Sequence, residues 1–532
     1  MTPKPPSPPK APAAALTDGF GWLEKDRKVA QRDLARAYGF VKRENPAAPG
    51  GVRHLANHIG GRDVPPRSGQ YIDDIDPARE RTLCKVPRSD KLDVADAVEA
   101  ARRAQAEWGA TSLDARCAVL RRTAEIIERE KGRLARLESE DTGKPIRLCL
   151  TLDIPRAARN FRFFSDFLLG RVESEHDTAD YRNITHRVPV GVVGLVTPWN
   201  LPLYLLSWKT APALGLGNAV VAKPSELTPR TADALADILL EAGVPPGVFN
   251  VVHGLGPEAG QAIVEHPNVR AVSFTGGTAT GAKVALAAAA SGVKKLSLEL
   301  GGKNPSLVFA DADLEGAVEG VARAAFTNQG QICLCGSRVL VERPLYAEFV
   351  RRLGEQAAAF RVGDPQDEAT DLGALISHAH RDKVESYLAL ARADGGMVLG
   401  GERPTLAGEL AKGAFLRPAI VTGVPQHSRC VQEEIFGPVA TVQPFDSEAE
   451  ALELANGVRY GLAATVWSRD LAKARRVAER LECGMVWINS WLVRDLRVPF
   501  GGVKDSGVGR EGGEWSVDFY SEARNIGWPK AP

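Results

Sequence analysis

Short apolar runs recur along the chain from about residue 188, and amphipathic segments separate them. The separating segments, such as LTPRTADALADILLEAG and PEAGQAIVEH, place apolar residues at helical spacing. Strands that alternate with helices in this way predict right-handed βαβ units around a parallel sheet, so we expect an α/β fold. The predicted strands of this part are GVVGLV (191–196), NAVVAK (218–223), VFNVV (248–252), AVSF (271–274) and KKLSLEL (294–300).

Two further parts of the chain carry a regular pattern. Residues 92–140 are strongly helical, and a second α/β set follows Glu299. This second set contains the predicted strands PSLVFA (305–310) and SRVLVE (337–342). It also contains a helix that starts at Ser377, a favourable N-cap residue, and ends in glycine. We find no internal repeat, and we expect one compact unit from about residue 55 onward.

The first 55 residues have a different composition. Residues 1–15 contain six prolines, which predicts a disordered, polyproline-leaning tail. Residues 17–44 space their apolar side chains as an amphipathic helix does, and NPAAPGG (45–51) is typical of a linker. The helix either packs on the body of the protein or docks a partner, and the pattern alone leaves both alternatives open.

Composition and charge limit the class of protein. Of the 532 residues, 44% are apolar and 25% are charged, with a net charge of +1, as in an ordinary soluble enzyme. We therefore expect neither nucleic acid nor a membrane as a partner. The chain lacks an apolar run of the roughly 18 residues that span a membrane, and it lacks a signal-peptide pattern, so we expect a cytoplasmic protein. Seven scattered cysteines predict a reducing compartment rather than a disulfide framework.

Two of those cysteines, Cys333 and Cys335, lie in the polar, glycine-containing stretch NQGQICLCGSR (328–338). A metal site would need two more soft ligands, and the histidine pair His378 and His380 starts a charged helix where we expect both to be exposed, so we expect no metal. A cysteine protease would need a histidine base, and His427 has no such context. A third possibility is a thiol that attacks an aldehyde while a bound nicotinamide accepts the hydride. That chemistry needs an oxyanion donor, a dinucleotide site and a base for water.

Candidates for the donor and the base follow predicted strands. Asn200 lies in TPWN (197–200), where Pro198 forces a turn after the GVVGLV strand. Its amide is either an oxyanion donor or a helix cap. Glu299 lies between leucines at the end of an apolar strand, where partial desolvation would raise the pKa of its carboxyl as a general base requires. The alternative for Glu299 is a salt bridge at the strand end.

Two further strand ends are candidates for nucleotide binding. FTGGTATG (274–281) joins a strand to a helix and spaces Gly276 and Gly281 so that backbone N–H groups suit a phosphate, although a tight turn explains it equally. KPSE (223–226) places Lys223 and Glu226 at the ligand end of the sheet. There the carboxylate would accept ribose hydroxyls and repel a 2′-phosphate, which favours NAD over NADP. A surface salt bridge between the two is the alternative.

The motifs together resemble a known family. TPWN, KPSE, FTGG, LELGGKNP, NQGQICLCGSR, EEIFGP (433–438) and PFGGVKDSGVGREGG (499–513) follow one another as they do in the NAD(P)-dependent aldehyde dehydrogenase superfamily, from about residue 56 to the C-terminus. The resemblance implies an α/β fold with a Rossmann-type parallel-sheet cofactor domain, an α/β catalytic domain and a small oligomerisation β-extension. It divides the chain into a tail and helix (1–55), a cofactor domain (56–171 and 189–298), oligomerisation segments (172–188 and 514–532) and a catalytic domain (299–513).

The resemblance also implies roles for matching residues. Cys333 resembles the nucleophile, Asn200 and the backbone N–H of Cys333 the oxyanion hole, and Glu299 the base that activates water, whereas Cys335 matches no catalytic position. One departure concerns Gly277, where the family often has a serine that touches the pyrophosphate, and Thr278 is a candidate substitute. The residues implied to bind NAD are Thr197, Pro198, Trp199, Lys223, Ser225, Glu226, Gly256, Phe274, Thr275, Gly276, Gly277, Gly281, Glu434 and Phe436.

The flanking stretches narrow the implied substrate. They are LTLDIPRAARNFRFF (150–164), WNLPLYLLSWK (199–209), QICLC (331–335) and INSWLVRDLRVPFGG (488–502). These stretches resemble the 2-aminomuconic and 2-hydroxymuconic semialdehyde dehydrogenases of aromatic-compound degradation, whose substrates carry a carboxylate far from the aldehyde. A site for such a substrate should contain arginine, and Arg156 and Arg494 lie at candidate positions, with Arg497 as a lesser third. The alternatives are a broad-specificity aldehyde dehydrogenase and a non-catalytic structural protein with the same fold. The family also implies a homodimer or homotetramer.

Overall fold

The computed structural model describes residues 51–530, so the predicted tail (1–15) and the predicted amphipathic helix (17–44) lie outside the described residues. The described part contains two large sheets, each covered by helices. The predicted α/β fold is confirmed. Both sheets have a core of parallel strands.

The first sheet has eight strands, and five adjacent strands at its centre run parallel. Three of these five are buried along their whole length, which explains why the sequence shows continuous apolar runs rather than alternation. Antiparallel strands close both edges. In spatial order the strands are Gly507–Val508, Lys295–Glu299, Val269–Thr275, Val192–Val196, Ala219–Lys223, Phe249–Val251, Asn57–Ile59 and Arg62–Val64.

Helices around the first sheet follow the predicted amphipathic segments. The strongly helical stretch 92–140 is confirmed, because it forms three consecutive helices. The helix predicted after KPSE ends at Gly243, whose φ of 103° is open to glycine at little steric cost. The helices of this part are Lys91–Ala110, Leu113–Arg129, Lys131–Thr142, Ile146–Leu148, Cys149–Asp153 (π), Ile154–Leu169, Pro202–Gly215, Arg230–Ala242, Gly256–Gly260 (π), Gln261–Glu265 and Thr278–Ala290.

The second sheet has seven strands, all parallel to their neighbours except one edge strand. In spatial order these are Met397–Gly400, Ala419–Thr422, Val439–Phe445, Arg338–Glu342, Pro305–Val308, Ala463–Trp467 and Met485–Ile488. Its helices include the one predicted from Ser377, whose hydroxyl accepts a hydrogen bond from the backbone of His380. They are Leu314–Phe326, Thr327–Gly330 (3₁₀), Arg343–Ala359, His378–Ala393, Gly408–Lys412 (3₁₀), Arg429–Gln432, Glu448–Asn456, Leu471–Ala478 and Gly513–Tyr520.

Three small sheets complete the fold. One contains the strands Arg53–His54, Arg81–Pro87 and Tyr71–Asp76 in that spatial order. Another pairs Tyr460–Gly461 with Val503–Lys504. In the third, Ser521–Pro529 pairs with Tyr181–Pro189, which pairs with Ser174–Asp177. Parts of the two segments with an expected role in oligomerisation therefore pair in one sheet, and that role and the domain boundaries stay predictions. Within residues 51–530, no helix has both the length and the apolar character needed to cross a membrane.

Carboxyl ends of neighbouring parallel strands meet at one edge of the first sheet. Strands of this sheet end at Val196, Lys223, Thr275 and Glu299, each of which belongs to or precedes a motif singled out in the sequence. In open α/β sheets this edge is where ligands bind. The fold thus gathers the candidate residues on one side of the first sheet.

A buried charged cluster lies under this edge. Lys144 donates a hydrogen bond to Asp153 at 2.7 Å and lies 3.8 Å from a Glu138 oxygen, and all three side chains are fully buried. Glu138 in turn accepts a hydrogen bond from the backbone of Leu203 at 3.1 Å, in the first turn of the helix Pro202–Gly215. Burial raises the pKa of Glu138 to about 8, with Lys144 opposing that shift and Asp153 adding to it.

In Glu138→Gln, the free energy of unfolding is expected to fall less steeply with rising pH than in the wild type. An unfolded Glu titrates near pH 4.3, so between about pH 4.3 and about pH 8 the folded protein holds a proton at Glu138 that the unfolded chain has lost. Stability from this group is therefore lost as the pH rises through that window. Between about pH 5.5 and about pH 8.5 we expect the wild-type melting temperature to fall a few degrees more than that of the variant. The exposed Glu409→Gln serves as control, and equal slopes for the wild type and Glu138→Gln would contradict the prediction.

Candidate active site

The stretch that leads to Cys333 has an unusual backbone. Asn328 and Gln329 both have a φ of 55°, and Gly330 follows with a φ of 70°. A Cβ at Gly330 would clash with the carbonyl oxygen of Gly437, so only glycine fits there. Left-handed non-glycine residues are uncommon and concentrate at functional sites. They bring Cys333 to the start of a tight turn, closed by a 2.9 Å bond from the Cys335 N–H to the Ile332 oxygen.

Asn304 fixes this turn to the second sheet. Its side-chain nitrogen donates to the carbonyl oxygens of Cys333 at 2.7 Å and Cys335 at 2.8 Å. Its side-chain oxygen accepts from the backbone of Ala463 at 3.0 Å. Sequence reasoning did not single out Asn304, although it belongs to the quoted motif LELGGKNP. Cys333 itself is half-buried, whereas Cys335 is buried in the apolar core beneath it.

Asn200 faces the thiol turn rather than a helix end. Its side-chain nitrogen donates to the carbonyl oxygen of Gln331 at 3.0 Å, and the residue is buried. The following helix starts after Leu201 without a side-chain cap, so the helix-cap alternative for Asn200 is wrong. Gln331 is two residues before Cys333, so this bond holds the Asn200 amide near the thiol. In that position the amide is suited to stabilise negative charge that develops beside the sulfur.

Glu299 ends a strand of the first sheet and is buried. One of its carboxylate oxygens has no hydrogen-bond partner within residues 51–530, so the salt-bridge alternative is not what the structure has. A Cβ at Gly501 would lie 2.7 Å from that oxygen, which shows how closely the backbone covers it. Burial and the carboxylate of Glu511 raise the pKa of Glu299 well above its ordinary value, against the opposing charge of Lys209. A carboxyl with an unpartnered oxygen and a raised pKa is what a general base for water requires.

The sulfur and the carboxyl belong to one electrostatic site. Burial raises the pKa of the Cys333 thiol, and the carboxylates of Glu434 and Glu299 raise it further. The positive charge of Arg494 opposes both the shift at Cys333 and the shift at Glu299. At neutral pH the resting sulfur is therefore protonated, and both carboxylates are close enough to act on it.

A buried pair lies behind Glu299. Lys209 donates to Glu511 at 2.5 Å and to the hydroxyl of Ser273 at 2.7 Å. Lys209 and Glu511 are separated by 302 residues in the chain, and sequence reasoning named neither of them. Together they place one positive and one negative charge beneath the candidate base.

Lys223 and Glu226 lie together at the carboxyl end of the strand Ala219–Lys223. The Lys223 ammonium lies 3.3 Å from a Glu226 oxygen and donates to the carbonyl of Pro224 at 2.6 Å. The two side chains form the salt bridge of the alternative interpretation, with Lys223 buried and Glu226 partly exposed. Burial lowers the pKa of Lys223. Ser225 is buried between them.

The short helix Gly256–Gly260 packs against this pair. A Cβ at Gly260 would lie 3.3 Å from the Lys223 side chain, while Gly256 faces open space. On the opposite side Thr197 donates its backbone N–H to the Lys223 carbonyl at 3.1 Å, and Pro198 follows it. The structure therefore brings Thr197, Pro198, Lys223, Glu226 and Gly256 to one side of the sheet edge.

The helix Thr278–Ala290 begins with its N–H groups unoccupied by any side-chain cap. Glycine is required nearby by packing, because a Cβ at Gly281 would clash with Leu300, and one at Gly276 would lie 2.5 Å from the Phe274 ring. Gly277 meets nothing within 4 Å, so its lack of a side chain is not imposed by space. Phe274 and Thr275 are buried at the end of the preceding strand. An open helix N-terminus of this kind suits a pyrophosphate.

Glu434 and Phe436 belong to the motif EEIFGP. The space that they border together with Trp199 and the edge of the first sheet is called the cleft below. One Glu434 oxygen accepts a hydrogen bond from the Gly302 N–H at 2.8 Å, and burial raises the pKa of this carboxyl to about 6. Phe436 has a φ of 61°, and its ring meets the Trp199 ring edge-on with centroids 5.3 Å apart. Gly302 also packs against the Cys333 carbonyl, so this short glycine segment connects Glu434 to the thiol turn.

His380 was expected to be exposed, and that prediction is wrong. Its ring lies half-buried, 5.3 Å from the Trp199 ring, and its Nε2 is 2.6 Å from the carbonyl oxygen of Phe436. Burial lowers its pKa to about 4, so the ring is neutral at pH 7. The prediction failed because the charged helix His378–Ala393 turns this one residue towards the cleft. His380 completes an aromatic cluster that the sequence pattern did not indicate.

Arg156 and Arg494 come from two different elements and lie close enough for their charges to interact, and the charge of Arg494 also acts on Cys333. Arg494 lies 4.0 Å from the centre of the Phe500 ring and 5.3 Å from that of Trp208. Arg156 lies 5.5 Å from the centre of the Tyr204 ring. In each, one terminal nitrogen is buried without a hydrogen-bond partner among residues 51–530. Arg497, in contrast, is exposed and paired with Asp495.

The sequence and the fold match known proteins. The model of the aldehyde dehydrogenase family matches residues 64–526. A 2-aminomuconic semialdehyde dehydrogenase from Bos taurus is 48% identical over 90% of this chain and 99% of its own length. A 2-hydroxymuconic semialdehyde dehydrogenase from Pseudomonas sp. (strain CF600) is 46% identical over 89% and 99%. The crystal structure of an indole-3-acetaldehyde dehydrogenase complexed with NAD+ superposes with a TM-score of 0.88 at 38% identity, covering 94% of this chain and 99% of that one. This chain belongs to the aldehyde dehydrogenase family.

Proposed function

We propose that this protein oxidises an aldehyde to a carboxylic acid with NAD, and that the substrate is 2-aminomuconic or 2-hydroxymuconic semialdehyde. The names of its relatives support this reaction and this substrate class. The observation that carries the substrate is the pair of half-buried side chains of Arg156 and Arg494, each with one buried terminal nitrogen that has no hydrogen-bond partner within residues 51–530. Buried charges without partners are costly, and a substrate carboxylate would supply the missing acceptor.

The residues at the sheet edge fit a dinucleotide. Lys223 and Glu226 would hold the adenosine ribose, the uncapped helix Thr278–Ala290 the pyrophosphate, and Glu434 the nicotinamide ribose. NAD, when bound, accepts the hydride that leaves the substrate carbon. The cleft wall formed by Trp199, His380 and Phe436 would keep water from that side.

Protein groups account for the remaining steps. The Cys333 thiol releases its proton to solvent as its sulfur adds to the aldehyde carbon, and the Asn200 amide and the backbone N–H of Cys333 stabilise the resulting oxyanion; the sulfur regains a proton when the acid is released. After oxidation the acyl group is a thioester on Cys333. Glu299 removes a proton from water, which attacks the thioester and releases the acid. The sum is aldehyde, water and NAD giving carboxylic acid, NADH and a proton.

Arg494→Ala tests the substrate. Loss of a charge-assisted hydrogen bond is expected to lower kcat/KM about thirtyfold on 2-hydroxymuconic semialdehyde and no more than about threefold on a neutral aldehyde. NADH formation at 340 nm measures both. The exposed Arg497→Ala is the matched control and should behave as the wild type. An equal loss on both substrates would show that Arg494 does not anchor a carboxylate and would favour the broad-specificity alternative.

Glu226→Gln tests the choice of cofactor. The carboxylate would repel the 2′-phosphate of NADP, so its removal should lower the ratio of kcat/KM for NAD to that for NADP about tenfold. Glu241→Gln, at the far end of the helix Arg230–Ala242, is the control. A ratio that does not change would remove Glu226 from the ribose site.

A further inference from the structure

We propose that Lys144 is a positioning residue for the oxyanion donor Asn200. The proposal rests on the proposed function, because it takes the Asn200 amide as the group that stabilises the oxyanion. Lys144 lies outside all the residues that the reaction itself requires. Its role would be to hold the backbone from which the donor projects.

The ammonium of Lys144 is bonded directly to the donor residue. It donates to the carbonyl oxygen of Asn200 at 2.8 Å and to Asp153 at 2.7 Å, within a fully buried environment. A buried carbonyl that accepts from a cation forms a shorter and stronger bond than one that accepts from a neutral group. The main chain of Asn200 is therefore tied to a charge that solvent does not screen.

The same cluster holds the chain on the other side of Asn200. Glu138, 3.8 Å from the Lys144 ammonium, accepts the backbone N–H of Leu203 at 3.1 Å. The helix Pro202–Gly215 has no side-chain cap from the loop that joins it to the strand Val192–Val196. Glu138 accepts an N–H group of its first turn instead. Lys144 thereby holds the carbonyl of Asn200, and Glu138 holds the chain three residues later, at the N–H of Leu203.

A second contact directs the fixed loop at the thiol. The side-chain nitrogen of Asn328 donates to the carbonyl oxygens of both Asn200 and Gln331, each at 3.2 Å. The Asn200 side chain donates to the same Gln331 oxygen at 3.0 Å. Lys144 therefore bonds directly to the residue whose side-chain amide is held beside the Cys333 turn. Buried ion pairs contribute little to net stability, so the role that we assign to this one is orientation.

A double-mutant cycle tests the proposal. Lys144→Met is expected to lower kcat/KM for aldehyde oxidation about thirtyfold, because a displacement of about 1 Å in a catalytic group is enough for a loss of this size. Asn200→Ala should lower it about a hundredfold. In the Asn200→Ala background, Lys144→Met should cost no more than about threefold, because the donor that it positions is gone. The rate of the first NADH burst should fall with kcat/KM, while the Kd for NAD stays unchanged.

The outcomes distinguish a failure of the Lys144 proposal from a failure of the proposed function. An equal loss from Lys144→Met in both backgrounds would overturn the positioning role and leave the proposed function intact. Full activity of Asn200→Ala would instead contradict the proposed role of the amide, and the Lys144 proposal with it.

Two further variants guard against a fold that fails. If Lys144→Met does not fold, the paired Lys144→Met/Asp153→Leu leaves no lone charge of that pair behind, and wild-type kcat/KM in that variant would also overturn the proposal. Lys473→Met removes a lysine paired with Asp311 at 2.9 Å, outside the site. It should lower the melting temperature without changing kcat/KM, whereas a matching loss of activity would attribute the Lys144 effect to stability alone.

Discussion

Cys333→Ala is expected to lower kcat/KM for aldehyde oxidation at least about 10⁴-fold, because the proposed covalent adduct forms on this sulfur. The protein should still fold and bind NAD, since the turn is held by Asn304 through backbone carbonyls rather than through the sulfur. Steady-state NADH formation and NAD binding by fluorescence measure the two properties.

Cys335→Ala is the matched control for that result. Its thiol lies two residues away in the same turn and is buried in the apolar core. The variant should lose less than about threefold in kcat/KM and lower the melting temperature slightly through the small cavity that it creates. If Cys335→Ala were inactive and Cys333→Ala active, the assignment of the nucleophile would be reversed.

Glu299→Gln is expected to stop turnover after one equivalent of NADH. The amide keeps the shape of the buried carboxyl but removes the base for water, so kcat should fall about 10³-fold while the burst remains. Stopped-flow absorbance gives the burst amplitude, and mass spectrometry of the quenched protein should find the acyl group on Cys333. Loss of the burst itself would place Glu299 in the first chemical step instead of the hydrolytic one.

The rate of thioester hydrolysis in the wild type should rise with pH. Burial and the carboxylate of Glu511 raise the pKa of Glu299 well above its ordinary value, so the ionised base forms at a higher pH than an ordinary carboxylate does. Glu299→Gln should lose this dependence. A wild-type hydrolysis rate that is flat across the neutral range would show that another group activates the water.

The sequence indicated the parallel strands because they are buried on both faces. Continuous apolar runs such as GVVGLV then mark each strand, and Val192–Val196 lies within the predicted run. The strand Gly507–Val508, which returns to pair with Lys295–Glu299, was not predicted, because two residues carry no periodicity. Roles in the site came largely from the family resemblance, since each local motif alone had an equally ordinary interpretation.

Residues that support the site could not be found from the sequence for a related reason. Asn304 and Lys144 act through backbone carbonyls of residues 29 and 56 positions away, and such contacts leave no local pattern. His380 was misplaced because one inward residue in a charged helix resembles a solvated face. Tertiary packing, rather than composition, decides which of these polar side chains meets the cleft.

The raised pKa of the Cys333 thiol affects how the protein survives between turnovers. Alkylating agents and peroxides react with the sulfur anion far faster than with its protonated form. Because burial and two neighbouring carboxylates raise the pKa of this thiol, we expect the sulfur of the idle protein to react slowly with both kinds of reagent.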